Sequence, residues 1–434
     1  IKSKFQSEAL TCEFSGLNGE SQSTPLFATG ERSSIIASFD LYGNIEWIRD
    51  LHGNKDVLIR DLTQDSNGNI LVVGNYEDNI DLGSTFFLPS TGANKSAGFL
   101  ASYTETGQLS YIKALVNQDD GNQQHQIILS HIAISEDVLL LIGTYGGSGS
   151  VDFVTSDSTS NQEAILPPTD NDTDEDIFVA AYNTSFDFQW LKAFACNEAI
   201  TPPHTFILDN AGNSYLGMNY KDECRLSEDI YLPDNDLGNA ILVKLDSSGT
   251  VDKFLTFTNS NQQTLGSVIL SDDNEIVLFG YFRNSFLLNE IDTFEQNNPG
   301  NLGECFVGAF DNALELRWME TFLGCESPSF GSPTGDIHSI LAFDENQENI
   351  ILFSEFWSTF IIDAFTVEQL GIYSDIFGVT FDRLGNNIQA FTVASDGEDT
   401  VYTATRLSDG TFILMGTFAG LLTYSGNNTL EADA

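Results

Sequence analysis

Basic residues, cysteines and long apolar runs are all scarce in this chain of 434 residues. Only 17 Lys and Arg stand against 63 Asp and Glu, which gives a formal net charge of -46. A field of that sign repels nucleic acid and anionic membranes, and it attracts cations. No apolar stretch approaches the ~20 residues that a membrane-spanning helix needs. The sequence therefore predicts no nucleic-acid partner and no membrane insertion, and its acidity suits a saline exterior.

What the chain does contain is enough apolar material for a packed interior. Hydrophobic residues make up 41% of the sequence, and Phe alone numbers 33. Such a composition is unlike that of disordered chains, which are poor in aromatic and branched residues. Helical periodicity is absent, and short apolar runs bounded by turn residues recur from end to end, which indicates β-strands.

One strand motif, a small residue (Met218 in one copy) followed by any residue and then Tyr or Phe, recurs seven times. Its aromatics are separated by 62, 69, 75, 62, 74 and 62 residues. They are Phe14, Tyr76, Tyr145, Tyr220, Phe282, Phe356 and Phe418. Self-similarity at such a spacing indicates an array of equivalent β units.

A second strand motif recurs six times, out of phase with the first. Each copy is apolar over the length of a strand and ends at a turn residue. The copies are IIASFD (35–40), FLASYT (99–104), FVAAYN (178–183), ILVKLD (241–246), FVGAFD (306–311) and FGVTFD (377–382). A further strand follows most copies and carries an aromatic such as Trp47 or Trp318. Tight turns such as DSNGN (65–69) precede the first motif.

Together the motifs predict a unit of strand, tight turn, strand, long loop, strand, tight turn and strand. Four short antiparallel strands in about 60–75 residues are typical of a β-propeller blade. We therefore predict an all-β fold, a single β-propeller over residues 1–434 with about seven four-stranded blades, the first and last incomplete. The predicted units are 1–51, 55–117, 126–196, 202–259, 262–324, 335–395 and 398–434. A solenoid of the same units is the alternative, although ring closure alone leaves no exposed end.

The unequal motif counts bear on where the array begins and ends. Seven copies of the first motif and six of the second place the start of the chain inside one blade and its end before a third strand. Six blades with an overlapping extra strand is the alternative to seven. Because Ile1 is not preceded by Met or a signal peptide, we expect a mature or excised piece of a longer chain.

The units resemble those of a secreted seven-bladed β-propeller repeat family, which Bacteroidota export as parts of large surface or secreted proteins. The shared pattern is D-x-x-G-N, an apolar run and G-x-aromatic, then F-V-A-x-aromatic-D-x-x-G-x-x-x-W. It is followed in residues 65–76, 99–111, 177–190 and 306–318. The Asp that often precedes the third strand in the family stands at Asp176 and Asp375. The resemblance implies a propeller fold and an extracellular or cell-surface location.

The long insertions all fall between the second and third strands or between blades, which places them on one rim. They are residues 77–97, 146–176, 221–239, 283–303, 323–336 and 357–374. Loops gathered on one rim of a repeat protein are where ligands usually bind. Tolerated surface insertions are the alternative, since long loops cost little.

One acidic loop within these insertions is a candidate calcium site. Asp170, Asp172, Asp174 and Asp176 alternate along PPTDNDTDED. Alternate carboxylates can converge on Ca²⁺, which takes six to eight oxygen ligands. The loop lacks the glycine and the distal glutamate of an EF-hand, so a solvated acidic loop is the alternative. Ca²⁺ is the only cofactor that the sequence suggests.

Cysteines and one tryptophan are the other candidate site residues. Cys305 with Cys325, and Cys196 with Cys224, are placed by the predicted topology on the same rim and are candidate disulfides for an oxidising exterior. Trp357 lies in a long loop without an equivalent in other units, so it is a candidate binding-face aromatic. Trp47, Trp190 and Trp318 share one repeat position and are predicted to pack between blades.

No catalytic motif of a protease, an α/β-hydrolase, a nucleotide-binding or a metalloenzyme type occurs in the sequence. We therefore predict a non-enzymatic module of an extracellular or surface protein, used for adhesion, binding or assembly. The expected partner is a protein or glycan on the long-loop rim, or a further copy of the chain. There are two alternatives. The first is a secreted polysaccharide-active hydrolase or lyase, and the second is a structural oligomer subunit or spacer.

Overall fold

The structure of the chain is a computed structural model. The residues that it describes are 10–15, 21–26, 32–40, 42, 44–82, 87–88, 96–118, 127–135, 137–146, 150–155, 175–196, 205–220, 223–232, 239–258, 263–283, 285–289, 292–295, 304–323, 339–356, 359–362, 365–367, 373–395, 397–406, 412–419, 421–424 and 428–431. Within these ranges the chain forms strands and no helix, so the prediction of an all-β fold is confirmed there. Accordingly, no helix in the described ranges could cross a membrane.

The strands of the first half of the chain follow one another closely. They are β1 (Leu10–Ser15), β2 (Ser21–Leu26), β3 (Ser34–Phe39), β4 (Ile45–Leu51), β5 (Val57–Gln64), β6 (Ile70–Glu77), β7 (Ile80–Asp81), β8 (Phe87–Leu88), β9 (Ser96–Tyr103), β10 (Leu109–Gln118), β11 (Ile127–Ser135), β12 (Val138–Gly146), β13 (Ser150–Thr155), β14 (Glu175–Asn183), β15 (Phe188–Cys196), β16 (Thr205–Leu208), β17 (Ser214–Tyr220), β18 (Cys224–Arg225) and β19 (Tyr231–Leu232).

The strands of the second half continue the same alternation of long and short elements. They are β20 (Asn239–Leu245), β21 (Val251–Thr258), β22 (Gln263–Leu270), β23 (Ile276–Phe282), β24 (Ser285–Leu288), β25 (Asp292–Glu295), β26 (Glu304–Phe310), β27 (Leu316–Leu323), β28 (Ser339–Phe343), β29 (Asn349–Phe356), β30 (Phe360–Ile362), β31 (Phe365–Val367), β32 (Asp375–Asp382), β33 (Asn387–Val393), β34 (Thr400–Arg406), β35 (Phe412–Thr417), β36 (Leu421–Tyr424) and β37 (Asn428–Glu431).

These strands belong to two compact units. The first unit comprises Ile1–Pro202 with Arg225–Ile230, and the second comprises Pro203–Cys224 with Tyr231–Ala434. Each unit contains four-stranded antiparallel sheets whose strands are hydrogen-bonded in chain order, and we call these repeat sheets, numbered by the predicted unit that contains them. The first unit holds repeat sheet 2 (β5–β6–β9–β10) and repeat sheet 3 (β11–β12–β14–β15); the second holds repeat sheets 4 (β16–β17–β20–β21), 5 (β22–β23–β26–β27) and 6 (β28–β29–β32–β33).

The strand order that the motifs predicted is therefore confirmed in five units. In each, a tight turn joins the first strand to the second and the third to the fourth, as in β5–β6 and β9–β10. Of the predicted terminal units, the described residues show two hairpins each, β1–β2 and β3–β4 in the first and β34–β35 and β36–β37 in the last. The number of blades and their closure into a propeller stay predictions.

The second strand of repeat sheet 5 shows how the sheets are stabilised. In β23, Ile276, Leu278 and Phe282 join an apolar cluster with residues of repeat sheet 4. Val277 and Phe279, which point to the opposite face, join a different cluster with residues of repeat sheet 6. Because side chains alternate between the faces of a strand, one strand supplies two cores. This explains why β17, β23 and β26 are buried along their whole length, and why β23 is an unbroken apolar run.

Residues from the long insertions extend the outer edges of the sheets. In the second unit, the hairpin β24–β25 lies between the second and third strands of repeat sheet 5 and pairs with β21, the outer strand of repeat sheet 4. The hairpin β30–β31 likewise pairs with β27 through Leu323 and Ile361. In the first unit, β13 pairs with β10 in the same manner. These insertions therefore cover edge strands that would otherwise expose unpaired backbone groups.

A tryptophan in the fourth strand of one predicted repeat packs on a tight turn of the repeat that follows it in the chain. The Trp318 indole Nε1 donates a hydrogen bond to the Arg383 carbonyl at 2.9 Å, and its ring lies over Gly385. In the first unit, Trp47 Nε1 donates to the Glu105 carbonyl at 2.7 Å and the ring covers Gly107 in the same way. The prediction that Trp47 and Trp318 pack between units is confirmed by these contacts.

Substituting the turn glycine under Trp318 tests this packing. Gly385 has a φ of 86°, and a Cβ there would lie 2.7 Å from the Trp318 ring. We expect Gly385→Ala to lower the free energy of unfolding by about 2–4 kcal/mol, because it combines a left-handed backbone with overpacking. Urea denaturation followed by tryptophan fluorescence measures the change. The neighbouring control Leu384→Ala, at a side chain that is 77% exposed, should change stability by no more than ~0.5 kcal/mol; equal effects of the two would contradict the packing.

Candidate functional site

Many of the acidic residues have a structural role in the tight turns. Asp65 Oδ1 accepts hydrogen bonds from the backbone N–H groups of Asn67 and Asn69, at 2.9 and 2.8 Å, and Oδ2 accepts from the Asn69 side chain. Gly68 has a φ of 82°, as a hairpin turn of this type requires. The hairpin interpretation of DSNGN is thus confirmed. The same two backbone bonds are made at Asp40, Asn183, Asp209, Asp246, Asp311 and Asp382.

The candidate calcium loop lies mostly outside the described residues, which exclude Asp170, Asp172 and Asp174. Asp176 is described: it lies in β14 directly opposite Tyr145 of β12, and it is 4% exposed. Among the residues that the structure describes, no group of three or more His, Cys, Asp or Glu side chains could hold a metal ion. The calcium site therefore stays a prediction.

The remaining candidates from the sequence are described only in part. Trp357 and Cys325 lie outside the described residues, as does the side chain of Cys196. Cys224 and Cys305 are both buried and disulfide-bonded. The two pairings, Cys196 with Cys224 and Cys305 with Cys325, stay predictions.

Peptide mapping tests the cysteine pairing directly. Digestion of the unreduced chain should release two disulfide-linked peptides, one joining Cys196 to Cys224 and one joining Cys305 to Cys325. The fifth cysteine, Cys12, is expected to be a free thiol and should be alkylated without reduction. Mass spectrometry before and after reduction identifies the linked peptides. A peptide that joins Cys224 to Cys305, or either of them to Cys12, would contradict the pairing.

A network of four charges lies beside the turns of repeat sheets 5 and 6 in the second unit. The carboxylate of Glu275 is 2% exposed and pairs with two arginines. Its Oε1 lies 2.8 Å from Arg317 Nη1, and its Oε2 lies 2.5 Å from Arg383 Nε. Arg383 also binds Asp273 at 2.9 Å and donates to the Gln347 carbonyl at 2.8 Å. A buried carboxylate is stable only when it is paired in this way. Hydrogen bonds from Ser271 and then from Arg383 hold the pKa of Asp273 below its usual range.

An open groove of about 480 Å³ is formed over this network. Its lining consists of the four charged side chains, Trp318 and Leu384. Trp318 is fixed by its bond to the Arg383 carbonyl, and Leu384 is largely exposed. The groove lies on the tight-turn side, whereas the sequence predicted binding on the long-loop rim.

A second polar feature links consecutive units through the residue before the second-strand aromatic. In the first unit, Asn75 Oδ1 accepts the backbone N–H of Leu129 at 2.8 Å, and its Nδ2 donates to the Leu129 carbonyl at 3.2 Å. In the second unit, Asn219 Oδ1 accepts the backbone N–H of Leu265 at 3.3 Å. Leu129 and Leu265 both stand at a bulge in the first strand of the next repeat sheet. We call this contact the inter-sheet clasp.

In repeat sheet 6 the inter-sheet clasp is made by an acid. Glu355, next to Phe356, lies close to the backbone N–H of Val401, which stands at the bulge in β34, and one of its carboxylate oxygens has no hydrogen-bond partner among the described residues. Burial raises the pKa of Glu355 to about 7, repulsion from Glu398 and Asp399 adds to the rise, and the Val401 hydrogen bond opposes it. A carboxyl that replaces a clasp amide can donate a hydrogen bond only when it is protonated.

Asp399 extends this acidic cluster. Its Oδ1 accepts a hydrogen bond from Ser395 Oγ at 2.6 Å, and its backbone N–H donates to the Ser374 carbonyl at 2.9 Å. Asp375, opposite Phe356, is fully buried and accepts from the Ser395 backbone N–H at 3.3 Å. Burial raises the pKa of Asp399, against the hydrogen bond from Ser395. The cluster thus contains two carboxyls with raised pKa values, and its hydrogen bonds connect the start of β32 to the segment between β33 and β34.

Neither the charge network nor the clasp was identified from the sequence. The middle residue of the small-x-aromatic motif is variable, although Asn recurs there at positions 75 and 219. That recurrence was the available signal for the clasp. For the network there was none, since Glu275, Arg317 and Arg383 come from three separate turns and strands.

Comparisons with known proteins identify no family for the chain. No protein-family model matches it, and no curated protein does. Among solved structures, it is similar to the holo form of the pyranose dehydrogenase PQQ domain from Coprinopsis cinerea. That similarity has a TM-score of 0.26 and 10% identity, and it covers 75% of this chain and 96% of that chain. A TM-score this low supports no inference about function.

The raised pKa of Glu355 makes the stability of the second unit depend on pH. A carboxyl whose pKa is higher in the folded state binds a proton on folding, so stability falls as the pH rises from about 4.5 to about 7. We expect Glu355→Gln to remove this loss. Its stability advantage over the wild type should grow between pH 5 and pH 8 by up to about 3 kcal/mol. Urea denaturation at both pH values measures it.

The matched control is Asn219→Asp, which places an acid in a clasp that has an amide. Its stability should fall between pH 5 and pH 8 relative to the wild type. The turn carboxylates Asp40, Asp246 and Asp382, whose pKa values are lowered by turn hydrogen bonds, lose their contribution only below about pH 4. They are common to all variants and cancel in the difference. A pH-independent advantage for Glu355→Gln would contradict the clasp.

Proposed function

We propose that the chain is a non-catalytic β-propeller module of an extracellular or cell-surface protein, used for adhesion, binding or the assembly of a surface structure. The main observation behind the proposal is that buried polar groups of the described sheets connect one repeat to the next repeat along the chain. Glu275 with Arg383, Trp318 with the Arg383 carbonyl, and Glu355 with Val401 are all contacts of this kind. Groups engaged in such contacts rigidify a scaffold.

Shared cores support the propeller within this proposal. Each sheet that supplies two cores needs a neighbour on both faces, so an open array would leave an apolar face uncovered at each end. Closing the array into a ring removes both ends. Seven blades agree with the seven copies of the first strand motif.

Composition and cysteine chemistry support the extracellular location. Disulfides such as those at Cys224 and Cys305 persist in oxidising compartments. The net charge of -46 keeps a protein soluble and repels nucleic acid and anionic membranes. The resemblance to exported propeller repeats agrees with both. The partners in this proposal are proteins, glycans or further copies of the chain.

A secreted hydrolase or lyase that acts on polysaccharides is the second candidate. The observation in its favour is the pair Glu355 and Asp399, because two acids with raised pKa values in one cluster are typical of general acid–base sites. The clasp accounts for Glu355 without catalysis, since Asn75 and Asn219 hold the same position in other units.

Activity and binding assays on one preparation separate the two candidates. The full chain is incubated with panels of polysaccharides and peptides, and reducing ends, unsaturated products and new amino termini are followed. The same chain, immobilised, is tested for retention of the same compounds. We expect saturable retention of at least one compound and no turnover. Turnover that Glu355→Gln or Asp399→Asn abolishes, while each variant stays folded, would overturn the non-catalytic proposal.

A further inference from the structure

The groove above the charge network has unused hydrogen-bonding capacity in a fixed position. Only Nη1 of Arg317 is engaged, by Glu275, and within the part of the chain that the structure describes Nε and Nη2 have no partner. The side chain is 47% exposed. The Nε and Nη2 edge of a guanidinium is planar and suits two parallel hydrogen bonds to one carboxylate. Because Glu275 is buried and also held by Arg383, the edge is oriented before any ligand arrives.

An acceptor is available on the other side of the groove. Both side-chain hydrogen bonds to Asp273, from Ser271 and from Arg383, end on Oδ1. Oδ2 can therefore accept from a ligand, and the side chain is 65% exposed. The pairing with Arg383 keeps this carboxylate ionised and in place.

Apolar surface completes the lining. Trp318 and Leu384 line the same groove as the charged residues, and Leu384 exposes 77% of its surface. A volume of about 480 Å³ falls within the ~300–1,000 Å³ of small-ligand sites. A few fixed polar groups beside apolar surface are the usual composition of such a site.

We propose that this groove binds a carboxylated saccharide, a uronic acid unit. The carboxylate of the ligand accepts two hydrogen bonds from Arg317, a hydroxyl donates to Asp273 Oδ2, and the apolar face of the sugar ring lies on Trp318 and Leu384. The inference rests on the proposed binding function and names a ligand class for it.

The charges of the groove favour a uronic acid over an acidic peptide. Asp273, Glu275, Arg317 and Arg383 sum to no net charge, so the groove is a neutral place on a chain of charge -46. A ligand with many carboxylates is repelled by the rest of the surface. A single uronic acid unit has one carboxylate and several hydroxyl donors, which match one guanidinium edge and one acceptor. An acidic side chain offers the carboxylate but no hydroxyl for Asp273.

Calorimetric titration of the full chain with three probes tests the ligand class. D-glucuronate carries the carboxylate and the hydroxyls, D-glucose lacks the carboxylate, and N-acetylglutamate lacks the sugar ring. We expect D-glucuronate to bind at least 10-fold more tightly than either of the others. Equal binding of N-acetylglutamate would overturn the saccharide class, and equal binding of D-glucose would overturn the role of the carboxylate.

Two substitutions at Arg317 test the site. Arg317→Gln should weaken D-glucuronate binding at least 10-fold and abolish its preference over D-glucose. Arg317→Lys keeps the charge without the planar edge and should recover little of the loss. Arg60→Gln, at an exposed arginine of β5 in the other unit, is the control and should bind as the wild type does. Thermal melting verifies that each variant is folded.

The outcomes distinguish this inference from the proposed function. The site would be overturned if Arg317→Gln left D-glucuronate binding unchanged. It would also be overturned if the wild-type chain did not bind D-glucuronate at 20-fold the concentration that saturates a known uronate-binding protein. If the chain still retains another glycan or protein in the panel assay, the adhesion module stands and only the groove is excluded. If it retains nothing, both are contradicted.

Discussion

Burial of both faces of each repeat sheet is the constraint on which the rest of the structure depends. In β23, alternate side chains enter two different cores, so the sheet is unstable without a neighbour on each side. The unbroken apolar runs of the central strands follow from this, as does the need for polar residues to gather at the turns and edges. Insertions such as β24–β25 then pair with the outer strand of the preceding sheet and cover an edge that the cores leave exposed.

The acidic composition is partly a consequence of the same architecture. Among the described residues, the tight turns that begin with Asp, such as those at Asp65 and Asp382, use a carboxylate to satisfy two backbone N–H groups. Two of the few basic residues, Arg317 and Arg383, are placed around the buried acid Glu275. Glu355 departs from this pairing, since its neighbours Glu398 and Asp399 are acidic, and its raised pKa is the result.

The sequence was sufficient to predict the strand order, the tight turns and the packing role of Trp47 and Trp318, because strand periodicity and glycine-containing turns are local signals. It was not sufficient for the groove or the clasp. Glu275, Arg317 and Arg383 converge only through register and sheet-to-sheet packing, which a single sequence does not encode visibly. The long-loop candidates, Trp357 and Asp170 among them, lie outside the described residues. Binding at the long-loop rim therefore stays a prediction, separate from the groove on the tight-turn side.

Double-mutant cycles on unfolding free energy test the two-core arrangement most directly. Val277→Ala combined with Ile350→Ala, and Leu278→Ala combined with Leu242→Ala, join residues of one core in each case. The account predicts coupling energies of about 0.5–3 kcal/mol for these pairs, and additivity within ~0.5 kcal/mol for Val277→Ala with Leu242→Ala, which belong to different cores. Strong coupling in the mixed pair, with none within each core, would contradict the account.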